Sequence, residues 1–231
     1  MGSQVHPTAI VGPGVELGSD VVVGPYAVLT GPCRIGDRSW IGAHAVIGAP
    51  PEIRDHAHGV PWDDEPVAPG VDVGEDTVLR EFTAVHGGSR APTRIGSRCF
   101  VMNTVYVAHD SVVEDDVSLA AHVALAGHVR VGEGANLGLG CTVHQHRVVG
   151  PGAMIGMSSV VTRDVPPHAK AFGAPARVRG VNELGMSRRG IAAEDIATVA
   201  GRYAGDAAYA SWAPPEALRP AWEWWLARTS G

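Results

Sequence analysis

An aliphatic residue returns at every sixth position along most of this chain. Val5, Val11, Leu17, Val23, Leu29, Ile35, Ile41 and Ile47 keep that spacing without a miss. Val73, Leu79 and Val85 form a short second frame. A third runs from Ile95 through Val101, Val107, Val113, Leu119, Leu125, Val131, Leu137, Val143, Val149 and Ile155 to Val161. Helices repeat every 3.6 residues and strands every 2.0, so neither explains the pattern. A triangular coil of three short strands does. Each hexad supplies one strand and one corner, and its aliphatic side chain points into the prism. The pattern predicts an all-β fold, a left-handed parallel β-helix of hexapeptide repeats with roughly seven to eight coils. Coils of about 18 residues would stack about 4.8 Å apart, the ordinary spacing of neighbouring strands. Glycines that follow the aliphatic positions are assigned to corners, where tight bends need a positive φ.

Two stretches break the frame. Residues 49–72 are rich in Pro, Asp and His, and residues 87–94 form a shorter interruption. Both are predicted to leave the prism as loops, where binding groups tend to sit on a rigid scaffold. The repeat ends near Val165, so residues 1–165 are expected to form the β-helix and 166–231 a C-terminal helical region. There Ile196, Val199, Ala200 and Tyr203 have helical spacing, with Glu194 and Asp195 at the start where the helix dipole favours acids. Leu218, Trp222 and Trp225 predict a last helix that packs on the prism.

Composition narrows the function. The net charge of −6 and the scattered basic residues give no footprint for nucleic acid. No apolar run approaches the roughly 20 residues of a membrane span, and the N-terminus has no secretory pattern. Cys33, Cys99 and Cys141 show no CxxC spacing, which fits a reducing, cytoplasmic location.

The coil length allows residues to be stacked on paper. His109, Gly127 and Gln145 fall in one column, and Asp110, His128 and His146 in the next. A column of imidazoles at one corner points to acid–base chemistry. A sugar hydroxyl is a weak nucleophile and needs a base, the role proposed for His109. Asp110 would hold that imidazole in the useful tautomer. The backbone N–H of Gly127 would donate to the oxyanion that forms as a thioester is attacked. No nucleophilic Ser or Cys shares the register, so direct attack is expected, without an acyl-enzyme.

These motifs (VAHD, LAGHV and VHQ, then DVPP and VN…RRG) resemble the bacterial UDP-N-acetylglucosamine acyltransferases that start lipid A synthesis, over about residues 5–190. The resemblance implies the same general-base, partner and oxyanion roles for His109, Asp110 and Gly127. It implies that His86, His128, His144 and Gln145 bind substrate, and that Asn182, Arg188 and Arg189 contact the nucleotide and the carrier-protein donor. It also implies a homotrimer with active sites between neighbouring prisms. Tyr106 stands where the family usually has another histidine. Met157 stands where the family places the residue that ends the acyl groove, which predicts a short or medium acyl group. The expected activity is acyl transfer from an acyl carrier protein or coenzyme A thioester to a hydroxyl or amine of a nucleotide sugar. No metal and no cofactor beyond the donor are expected. The alternative is an acetyl-coenzyme A-dependent amino-sugar N-acetyltransferase on the same prism.

Overall fold

The computed structural model describes residues 2–56, 58–59, 62, 69–204 and 212–229. The aliphatic column builds the predicted prism. Strands of two to four residues wind into three parallel sheets, one per face, and the hexapeptide pattern makes the coil a left-handed β-helix. The first face carries the strands through Gln4, Val22, Trp40, Val78, Phe100, Ser118, Asn136 and Met154. The second carries those through Ile10, Val28, Val46, Ala84, Tyr106, Ala124, Thr142 and Val160. The third has seven strands, including Cys33–Ile35, Thr93–Ile95 and Arg130–Val131. Every second residue points inward, so Leu29, Ile41, Leu79, Leu119, Leu125, Leu137 and Ile155 fill a continuous core.

Strand register records the insertions. Gln4 pairs with Val22 and Val22 with Trp40, a step of 18 residues. Trp40 pairs next with Val78 and Val78 with Phe100, so the two excursions lengthen single coils without shifting any inward residue outward. The third face resumes at Val71 after the first excursion and at Thr93 after the second, each slightly earlier than the hydrophobic frame indicates. Residues 57, 60–61 and 63–68 of the first excursion lie outside the described residues.

The corner glycines differ from expectation. Gly24, Gly36 and Gly42 do not have positive φ. A Cβ on Gly42 would instead lie 2.6 Å from the Glu81 amide nitrogen, and one on Gly36 2.5 Å from that of Glu75. These glycines let one coil approach the next. The left-handed corner position lies two residues further on and is filled mainly by side-chain-bearing residues, among them His44 (φ 58°), Asp110 (φ 59°), His122 (φ 60°) and His128 (φ 62°). Asp and His tolerate that region better than most residues, because a short polar side chain bonds locally.

The stacking runs past Val165, which bridges to Val149. Ala169–Gly173 adds a parallel strand to the first face, and Ala176–Val181 turns back against it. Among the described residues three α-helices follow: α1 (Glu183–Arg188), α2 (Ala193–Tyr203) and α3 (Arg219–Thr229). Glu194 and Asp195 sit in the first turn of α2 as expected. Met186, Val199, Leu218, Trp222 and Trp225 form a second core against Val148 and Val181, which fastens the helices to the third face.

Candidate active site

The corner between the second and third faces collects most of the predicted site. His109 Nδ1 lies 2.8 Å from Asp110 Oδ2. Asp110 is nearly buried, and the 87–94 excursion wraps it. The backbone N–H groups of Ser89, Arg90 and Ala91 and the Ser89 hydroxyl all donate to its carboxylate, at 2.7–3.1 Å. Burial alone would raise the Asp110 pKa. Those hydrogen bonds, with that of His109, overcome it and hold the carboxyl well below the usual range. An ionised Asp110 keeps the Nδ1 proton of His109 and leaves Nε2 as the lone-pair nitrogen.

Gly127 lies one coil above. A Cβ there would sit 2.8 Å from His109 Cε1 and Nε2, so only glycine leaves room for the ring. Its N–H enters no hydrogen bond among the described residues. The neighbouring column is a stack of rings. His128 meets His109 edge-on at 5.1 Å and lies parallel to His146 at 4.6 Å. Burial, helped by the like charges of the adjacent imidazoles, lowers the His128 pKa against the pull of Asp110. His144 and Gln145 are exposed on the same corner one coil further up. His86 flanks it below, with Nδ1 3.0 Å from the Pro50 carbonyl and Nε2 3.2 Å from Glu52. Tyr106 donates its hydroxyl to the same Glu52 and tilts against His86, so it closes a small Glu52–His86–Tyr106 cluster.

The remaining predicted residues lie elsewhere on the chain. Asn182 caps α1 and donates to the Gly152 carbonyl at the corner between the third and first faces. Arg188 ends α1, and the Arg189 guanidinium lies over Gly134 on that same corner. Met157 is at the third corner, between the first and second faces. It is 72 % exposed, so it does not fill the core. The chain therefore does not bring these four to His109. Sequence reading missed Ser89, Arg90, Ala91 and Glu52. The one available signal was that both excursions open from the corner that carries His109.

His109, Asp110 and His128 offer ligand atoms within 4.8 Å of one another, close enough to grip a cation. The Asp110 oxygens, however, already accept a full set of protein hydrogen bonds, which a metal would have to displace. The three cysteines are buried in the prism, and burial pushes the Cys33 and Cys141 thiols up to about 12. None can act as a nucleophile at this corner.

Comparison with known proteins places the chain in a family. Residues 18–49 match the bacterial transferase hexapeptide (six repeats), and residues 164–204 match the second domain of UDP-N-acetylglucosamine O-acyltransferase. An acyl-(acyl-carrier-protein)–UDP-N-acetylglucosamine O-acyltransferase from Thiobacillus denitrificans is 38 % identical, over 87 % of this chain and 83 % of its own. One of the same name from Stutzerimonas stutzeri is 33 % identical over 87 % and 83 %. The solved UDP-N-acetylglucosamine acyltransferase from Campylobacter jejuni superposes with a TM-score of 0.74 at 28 % identity, over 88 % of this chain and 86 % of that one. With those relatives matched over most of both chains and the same prism found in the solved structure, this chain is an acyltransferase and belongs to the acyl-(acyl-carrier-protein)–UDP-N-acetylglucosamine O-acyltransferase family.

Proposed function

We propose that the protein transfers a short or medium acyl group from a carrier-protein thioester to a hydroxyl of a UDP-linked N-acetylglucosamine-like sugar, with His109 as general base. The observation that carries this reading is the His109–Asp110 pair, locked by the 87–94 loop and packed on a glycine whose N–H has no partner among the described residues. The acceptor hydroxyl gives its proton to His109 Nε2 as its oxygen attacks the thioester carbonyl. The oxygen of that carbonyl becomes an oxyanion and takes the Gly127 N–H. The intermediate collapses, the C–S bond breaks, and the imidazolium returns its proton to the leaving thiolate. His86, His128, His144 and Gln145 line the acceptor and acyl path on this corner.

The same reading includes a homotrimer. The outward positions of the first and second faces are largely apolar, and Tyr26, Phe82, Phe100, Leu139, Met157 and Val160 are exposed on or between them. Five of the seven outward positions of the third face are charged, Glu16, Arg34, Asp72, Arg94 and Arg130, while Val112 and Val148 are apolar. Burying the first two faces around a threefold axis leaves the charged face in water. The His109 corner of one subunit then meets the corner of its neighbour that carries Asn182, Arg188 and Arg189. Met157 lies toward the axis, at the closed end of a groove between subunits. Thiol release from acyl carrier protein, dependent on UDP-N-acetylglucosamine and lost in His109→Ala, is the expected result. Equal release by the variant would remove His109 from the mechanism.

A further inference from the structure

The third face carries a cleft that the chemistry above does not use. Its volume is about 750 Å3, and it opens at Asp110 and His128. From there it passes the arginines of alternate coils, Arg130, Arg94 and Arg34, with Arg90 and Arg228 on its flanks. Residues 34, 72, 94, 112 and 130 occupy successive rungs of this face, so the stripe extends for about 19 Å along the prism.

The charge is not balanced locally. Asp72 is shared between Arg34 and Arg94, at 3.7 Å from each. Among the described residues Glu114 pairs with Arg228, at 3.9 Å, and accepts from the Trp224 indole N–H. Burial, and after it the like charge of Arg130, hold Arg228 below its ordinary pKa despite Glu114. Five arginines thus line the cleft against Asp72 and Glu114, because the Asp110 carboxylate is consumed by its own loop. The chain as a whole carries −6, so this stripe is a local inversion of sign. The side chains of Arg34 and Arg94 are more than half exposed, at 62 % and 61 %.

We infer that this arginine stripe docks the acidic surface of the carrier protein that presents the thioester. The inference rests on the carrier-protein reading of the donor. A pyrophosphate or a single phosphate would engage only one or two rungs, whereas the stripe is as long as several helical turns of a partner. It is the charged face, the one left in water when the apolar faces associate. It also begins beside His128, so a partner seated along it can feed its acyl arm to His109. Exposed arginines of this kind steer and orient an acidic partner rather than contribute large affinity.

The test is the double variant R94E/R130E, which leaves Arg90, Ser89 and the Asp110 loop untouched. Its expected kcat/KM with acyl carrier protein falls by about tenfold or more, carried by KM. With the same acyl group on pantetheine, which has neither protein nor phosphate, kcat/KM stays within about twofold. R94K/R130K retains most carrier-protein activity. Raising the salt concentration weakens the wild-type reaction with carrier protein and leaves the pantetheine reaction level. Unchanged kcat/KM with carrier protein in R94E/R130E overturns the inference. So does an equal loss on pantetheine, which would mean damage to the site. A KM for acyl-coenzyme A raised as much as that for carrier protein overturns it too, by assigning the stripe to phosphate. If wild-type enzyme turns over acyl-pantetheine but not acyl carrier protein, the donor reading itself fails and the docking surface fails with it.

Discussion

Asp110 is the residue on which the proposed chemistry most depends. Its left-handed backbone at the corner aims the carboxylate back at the neighbouring His109 ring, and three consecutive amides from residues 89–91 keep it ionised. Replacing Asp110 by Asn keeps the shape but removes the charge that stabilises a protonated imidazole. Activity should fall by about 10²- to 10⁴-fold with little change in acceptor KM. The sign of the pH effect follows from the lowered carboxyl pKa. Its contribution to stability is present above the unfolded carboxylate pKa and is lost as acid approaches the lower folded value. Gly127→Ala should be as damaging as loss of the base, because its methyl would occupy the space of the His109 ring. Steady-state kinetics of both variants, with circular dichroism to confirm folding, would check this. Wild-type rates in either would contradict the geometry.

At the level of elements, the corners and the end cap set different demands. Gly42→Ala forces a methyl toward the Glu81 backbone nitrogen and should destabilise the prism by about 1–3 kcal/mol, read as a lowered melting temperature. His122→Gly, at a left-handed position on the same corner three coils above, should be nearly neutral, because glycine relieves positive φ there. The cap holds a second titrating device. His168 precedes the last parallel strand of the first face and is 4 % exposed, with neither ring nitrogen hydrogen-bonded among the described residues. Burial, then the charge of Arg189, push its pKa down to about 4. The unfolded chain binds this proton near pH 6.5 and the folded one refuses it until about pH 4. Stability is therefore full above pH 6.5 and declines as pH falls across that window, by about 3 kcal/mol. His168→Phe should flatten the melting temperature between pH 6.5 and 4 and raise it at pH 5. An unchanged slope would place the acid sensitivity elsewhere.

For the whole molecule, the proposed arrangement makes a test that no single chain can pass. His109 and Arg188 lie on different corners, and in the proposed trimer each site takes one from each of two neighbours. His109→Ala and Arg188→Ala proteins should each be impaired alone. Mixed trimers should recover up to about a third of wild-type activity, because one of the three sites receives both intact residues. No recovery after unfolding and refolding the mixture would mean that both residues serve one chain's own site. Met157→Gly, on the corner facing the axis, should shift donor preference toward longer acyl chains without lowering kcat for short ones, as read by competition between donors. A fixed chain-length profile would leave Met157 without a role in the groove.

Sequence by itself determined the prism, because a period of six can be satisfied only by a short strand and a corner. It also determined the vertical columns, because 18 residues return the chain to the same corner, and so it placed His109 under Gly127 and Asp110 under His128. The α2 and α3 positions followed from helical spacing. Three things needed the tertiary structure. The excursion at 87–94 was legible as a loop, but not as the cradle of Asp110, since no periodicity links Ser89 to a residue 21 positions away. The glycines were legible as corner residues, but their cause is the close approach of the next coil, which is a contact between chain segments and not a local torsion. The arginines of the third face are scattered in sequence and ordinary one by one. Only the stacking of coils lines them up beside His128, because charge adds along the fold rather than along the chain.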